Sequence, residues 1–82
     1  MIQNLEETID LMTSPDYKDR FKAEYEQLCF RLNKLDAFLN KWESGELKIT
    51  PKSPREWFEK HRQAMADYGQ VLAARAIKEE IY

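Results

Sequence analysis

The chain has 82 residues, of which 13 are basic and 15 acidic, for a formal charge of −2; 43% are hydrophobic, 34% are charged, and Gly and Pro number 2 and 3. So short a chain holds one domain, residues 1–82, and buries only about 60 to 65% of the surface its unfolded form exposes, which leaves a thin core of its own. The balance argues against a disordered chain, against a broad basic face for duplex nucleic acid and, with no uncharged apolar run near about 18 residues, against a membrane span; a local basic pocket for a small anion stays open.

A single cysteine, Cys29, cannot close an intramolecular disulfide, and no zinc-ligand spacing accompanies it. Cys29 reads as a small hydrophobe in a reduced, cytoplasmic protein. The N-terminus lacks the basic-then-apolar character of a signal peptide.

In chain order, "MIQNLEETIDLM" carries Ile2, Leu5, Ile9 and Met12 on one face and acidic residues elsewhere, predicting a short amphipathic helix over about 2–12. "TSPDY" then supplies Ser14 as an N-cap, Pro15 at the first helical position and Asp16 near the positive end of the helix dipole. From there Phe21, Tyr25, Leu28, Leu32, Leu35, Leu39 and Trp42 follow at alternating steps of four and three, the seam of a coiled-coil-like helix. Gly45 suits a left-handed C-terminal cap, so this helix spans about 15–43 and is roughly 43 Å long.

The connector "GELKITPK" is a loop of ordinary length in which Leu47 and Ile49 lie over the helix ends. "SPRE" repeats the earlier punctuation, with Ser53 as N-cap, Pro54 first in the helix and Glu56 reaching back in a capping box. The second long helix, about 54–79, has a wide apolar stripe: Trp57, Phe58, Ala64, Met65, Tyr68, Val71, Leu72 and Ala76. Two long helices joined by a short loop lie antiparallel. The fold class is therefore all-α, a short N-terminal helix followed by a long helical hairpin. Its apolar surface exceeds what one hairpin covers, so the expected state is an oligomeric helical bundle.

Two polar residues share the second stripe. His61, three residues after Phe58 and four before Met65, reads as a partly buried side chain hydrogen-bonded across the seam, with a ligand or acid–base role as the alternative, and Arg75 either serves the helix dipole or meets a phosphate or carboxylate. Catalysis finds no support: no nucleophile has a base and an orienting acid at a recognisable spacing, and no Gly-rich phosphate loop is present. The chain reads as a binding protein, not an enzyme, and nothing calls for a cofactor.

"DYKDRFKAEYEQLCFRLNKLDAFLNKWESGEL" and "SPREWFEKHRQAMADYGQVLAARA" together cover about three quarters of the chain. Through the run Tyr17, Arg20, Phe21, Glu24, Tyr25 and the series Pro54, Met65, Tyr68, Leu72, Arg75 they resemble a family of small phage and prophage proteins related to a protein of the crAss-like phages. That family in turn looks like the helical-hairpin domain of phage anti-CBASS and anti-Thoeris sponge proteins, which bind cyclic nucleotide immune signals and keep them from host effectors. The resemblance implies a homo-oligomer in the cytoplasm of an infected or lysogenic bacterium. It also implies cyclic nucleotides held between protomers, with Tyr17 and Tyr68 for stacking and Arg20 and Arg75 for phosphate. Glu24 and Glu26 depart from this scheme by setting negative charge beside Tyr17 and Arg20. The competing reading is a protein-binding module, an inhibitor of another host defence protein or a structural adaptor, in which the same side chains anchor an interface.

Overall fold

In the computed structural model, which describes residues 2–82, the regular elements are a 3₁₀ turn over Leu5–Thr8, α1 over Ile9–Met12, α2 over Tyr17–Glu43 and α3 over Arg55–Lys78. Among the described residues all regular structure is helical, and no helix is long and apolar enough to cross a membrane.

The helix starts fall later than the sequence places them. At α2 the cap is Asp16, whose carboxylate accepts the Lys18 N–H at 2.9 Å and closes one of the donors that a helix start leaves open. Ser14, the expected cap, instead accepts the Asp16 N–H at 3.0 Å and donates to the Asp19 carboxylate at 2.9 Å, a turn that prepares the true cap. At α3 the expected Ser53–Glu56 capping box does not form. Pro54 is extended (φ −64°, ψ 149°) and itself holds the cap position, so Ser53 comes one residue too early to reach the free N–H groups.

Both long helices end alike. Gly45 (φ 76°) donates to the Trp42 carbonyl at 3.2 Å while the Glu46 N–H reaches Lys41 at 2.9 Å, a Schellman ending. The same pair of bonds recurs at Glu80 N–H to Ile77 (3.2 Å) and Ile81 N–H to Ala76 (2.9 Å), but here a glutamate takes the left-handed position (φ 56°). This turn sends Ile81 back into the core, where it is buried with Phe21, Leu28, Leu72 and Ala76; Tyr25 and Met65 pack against the cluster.

α2 and α3 are antiparallel. Asp36 pairs with Arg62 across the hairpin, and Glu43 with Arg55 at 2.8 Å. Near the loop, Phe38, Trp42 and Phe58 form a ring cluster with centroids 5.3 to 6.0 Å apart, all three partly exposed. The expected seam of α2 holds: Phe21, Leu28 and Leu39 are buried, and Tyr25, Leu32, Leu35 and Trp42 are half-buried.

The N-terminal segment packs on α2, and its buried residue is Thr8, whose hydroxyl donates to the Leu5 carbonyl (2.7 Å) and accepts from Gln27 Nε2 (2.8 Å). Ala23, four residues before Gln27, is buried along with it, giving α2 a second covered face. Of the expected face Ile2, Leu5, Ile9 and Met12, Ile2 and Leu5 are half-buried as expected, but Thr8 and Leu11 complete the covered line, and Ile9 and Met12 stand exposed. A 3₁₀ turn aligns every third residue, which explains the shift. The stripe of α3 is narrower than expected: Leu72 and Ala76 are buried and Phe58 and Met65 half-buried, whereas Trp57, Ala64, Tyr68 and Val71 are exposed. His61 is exposed too, which overturns its reading as a seam histidine. Each step of three falls about 60° short of a full turn, enough to rotate His61 off the strip that α2 covers. In the loop, Leu47 is half-buried and Ile49 exposed, so the expected apolar cover is half realised.

Candidate functional site

The open end of the hairpin brings the start of α2 beside the end of α3. There Arg75, in the last turn of α3, and Glu79, the residue that caps its end, meet Tyr17, the first residue of α2. Arg75 Nε donates to Glu79 Oε2 at 2.8 Å, the Tyr17 hydroxyl donates to Glu79 Oε1 at 2.7 Å, and Arg75 Nη2 donates to the Tyr17 oxygen. The guanidinium lies over the buried Phe21 ring, 5.1 Å from its centroid, and Tyr17 meets the same ring edge-on at 6.3 Å. Phe21 thus sets the height of the cluster, and the three polar groups orient one another.

The electrostatics follow from this closure. Glu79 is held below the ordinary carboxylate range, first by the Arg75 hydrogen bond and then by that of Tyr17. The Tyr17 phenol is pushed up, chiefly because it donates to Glu79 and secondarily by desolvation, with Arg75 opposing. Arg75 is pushed up further by the Glu79 contact. All three groups are open to solvent, so an incoming anion can compete with Glu79 for the guanidinium, which offers the paired donors that suit phosphate and carboxylate alike.

Of the four residues expected to bind ligand, the structure joins Tyr17 and Arg75. Arg20 is on the next turn of α2 and donates to the Ser14 carbonyl at 2.8 Å, so it ties the α1–α2 turn to the helix. Tyr68 stands exposed two turns before Arg75 on the same line of α3. Glu79 and Phe21 were absent from the expected set, although the step of four from Arg75 to Glu79 is a helical ion-pair spacing. The two acidic departures separate: Glu24 is exposed and its charge reaches both Tyr17 and Arg75, whereas Glu26 is half-buried and acts on Tyr82.

His61 lies between two hollows nearer the loop. One, of about 210 Å³, is lined by Ser53, Trp57, Phe58 and His61. The other, of about 310 Å³, has Phe30, Leu35 and Met65 as its apolar lining and Arg31, Lys34 and His61 as its basic one. Lys34 Nζ sits 5.3 Å from the Phe30 centroid there. Sequence reasoning missed this groove, although Arg31 and Lys34 are a basic pair at a step of three. Among the described residues no group of three or more His, Cys, Asp or Glu is placed to hold a metal ion.

No curated protein and no solved structure matches the chain. The family model named Sequestin matches residues 15–78, which takes in all of α2, the loop and all of α3, including Tyr17, Arg20, Tyr68 and Arg75. Since that match covers far more than half of the 82 residues, the chain belongs to the Sequestin family.

Proposed function

We propose that the protein is a phage or prophage anti-defence sponge that binds a cyclic nucleotide immune signal and withholds it from host effectors, without chemical change, as a homo-oligomer in the bacterial cytoplasm. The observation that carries this reading is the Sequestin match over residues 15–78, a family name that speaks of sequestering and of binding before catalysis. The hairpin likeness to anti-CBASS and anti-Thoeris sponges supplies the ligand class. Arg75 suits the phosphate, since it is exposed, aimed by Tyr17 and Phe21, and now holds a carboxylate that a phosphate can replace. Tyr68 offers an exposed ring for a base and Tyr17 stands beside the phosphate position, while Arg20, one turn further along α2, serves the ligand only by leaving the Ser14 carbonyl that it now holds.

A thermal-shift and calorimetric screen of cyclic di- and trinucleotides tests the reading. One ligand should raise the melting temperature and be recovered unaltered after the protein is denatured. Arg75→Ala should remove that shift, and Glu79→Gln should enlarge it by freeing the guanidinium. If no cyclic nucleotide binds and a host protein co-purifies instead, the protein-binding module is the correct description.

A further inference from the structure

α3 carries two seams. The inner one, Phe58, Met65, Leu72 and Ala76, faces α2. The outer one, Trp57, His61, Ala64, Tyr68, Val71 and Arg75, advances by four, three, four, three and four residues and lies about 100° around the helix from the first. Alternating steps of four and three mark a helix–helix contact, and two such lines a quarter turn apart are what each helix of a four-helix bundle presents to its two neighbours. Yet only the Arg75 end of the outer line, which meets Tyr17 and Phe21, and the edge at His61, which borders a hollow of α2, approach other parts of the described chain; its apolar members stay open, with Trp57 61% exposed, Val71 58% and Tyr68 44%. Leu72 and Ala76 are the buried residues of this 24-residue helix.

We infer that the outer seam of α3 packs antiparallel against the same seam of a second copy, and that the partner's Trp57 thereby completes the Arg75 site. This rests on the homo-oligomer proposed above and specifies its contact. The seam is complementary to itself in one direction. No carboxylate lies on it, its aromatic end is Trp57 and its cationic end is Arg75. Antiparallel pairing sets Trp57 against the partner's Arg75, a cation–π contact, His61 against the partner's Val71, and the bulky Tyr68 against the partner's small Ala64. Parallel pairing would bring Arg75 onto the partner's Arg75; an antiparallel slip by one heptad in one direction would set His61 beside the partner's Lys78, and in the other would leave Val71 and Arg75 with no seam residue facing them. A second copy is favoured over an unrelated partner because the same six residues supply both the knobs and the gaps. The outer side of Arg75, opposite Phe21, then gains an aromatic wall from the other chain, which places Tyr17, Arg75 and the partner's Trp57 around one anion position.

Three measurements without any nucleotide test this. Light scattering should give a dimer or a multiple of it, and Val71→Glu should weaken association at least tenfold while far-UV dichroism still reports a folded helical chain. In Trp42→Phe, which leaves Trp57 as the sole tryptophan, emission should move to the blue as concentration rises. In a Cys29→Ser background, Ala64→Cys mixed with Tyr68→Cys should oxidise to a covalent dimer at least ten times faster than a Gln63→Cys and Gln70→Cys mixture on the outer surface. A wild-type monomer at high micromolar concentration overturns both this contact and the oligomer above it. An oligomer in which the Ala64–Tyr68 pair links no faster than the control overturns this contact alone, and leaves the sponge reading to the ligand screen.

Discussion

The two ends of the hairpin are stabilised differently. At the open end Phe21, Leu28, Leu72, Ala76 and Ile81 are buried together, whereas at the loop end Phe38, Trp42 and Phe58 touch ring to ring and stay half in water. The larger side chains are at the less buried end. Two helices bury one side of each other and no more. The open end has extra layers: the N-terminal segment on α2 and the C-terminal turn that folds Ile81 inward. The loop end has the loop alone, and Arg55 covers Trp42 from 5.6 Å while pairing with Glu43. Burial in this small chain is thus decided by what crosses the helices, not by the hydrophobicity of the helices themselves.

The comparison is broken most forcefully at Leu72, which is 1% exposed. Leu72→Ala should destabilise by about 3 kcal/mol in urea denaturation, and Phe58→Ala, despite removing more atoms, by about 1 to 2 kcal/mol. Equal losses would mean that the loop end is as well buried as the open end. Next comes the tail: Ile81→Ser should lower stability by about 2 kcal/mol, and Glu80→Gly should raise it by about 0.5 to 1 kcal/mol by relieving the left-handed backbone that lets Ile81 turn in. Both are read from denaturation midpoints.

The helix starts give a finer contrast. Asp16→Ala should cost about 1 kcal/mol, since it removes a made cap, and Ser53→Ala should stay within about 0.5 kcal/mol, since no cap bond exists there to lose. The smallest effect is that of pH at the open end. Glu79 has a lowered carboxyl pKa in the folded chain, so its contribution is fully present above the unfolded value near 4.5 and fades as pH falls through the lower folded value. Tyr17, raised in the folded chain, gives the opposite case: its share is present below about pH 10 and fades above it. Melting temperatures of wild type and Glu79→Gln should therefore converge on acidification below pH 4.5, and a constant gap would show that the Tyr17–Arg75–Glu79 contact adds nothing to folding.

What the sequence by itself determined is the part governed by local periodicity. The alternating steps from Phe21 to Trp42 dictated a long helix with one buried line, and Gly45 ended it because its left-handed backbone is unstrained only without a side chain. The antiparallel hairpin followed from two such helices and a short loop. Caps were less legible: the expected Ser14 and Ser53 gave way to Asp16 and Pro54, two residues and one residue later, because a cap depends on whether a particular oxygen reaches a particular N–H, a matter of a residue or two of backbone conformation. Glu80 was illegible as a helix stop, because a glutamate takes a left-handed backbone only when something beyond it, here the burial of Ile81, offsets the strain. Only the tertiary structure decided the fate of His61 and Arg75, which share a stripe in sequence. Both sit off the strip that α2 covers, yet Arg75 reaches Tyr17 and the Phe21 ring because the start of α2 lies beside it, and His61, beside the middle of the hairpin, stays in solvent. A helical period says which residues share a face; the neighbour's position and width say which of them are buried, and those depend on residues about sixty positions away in the chain.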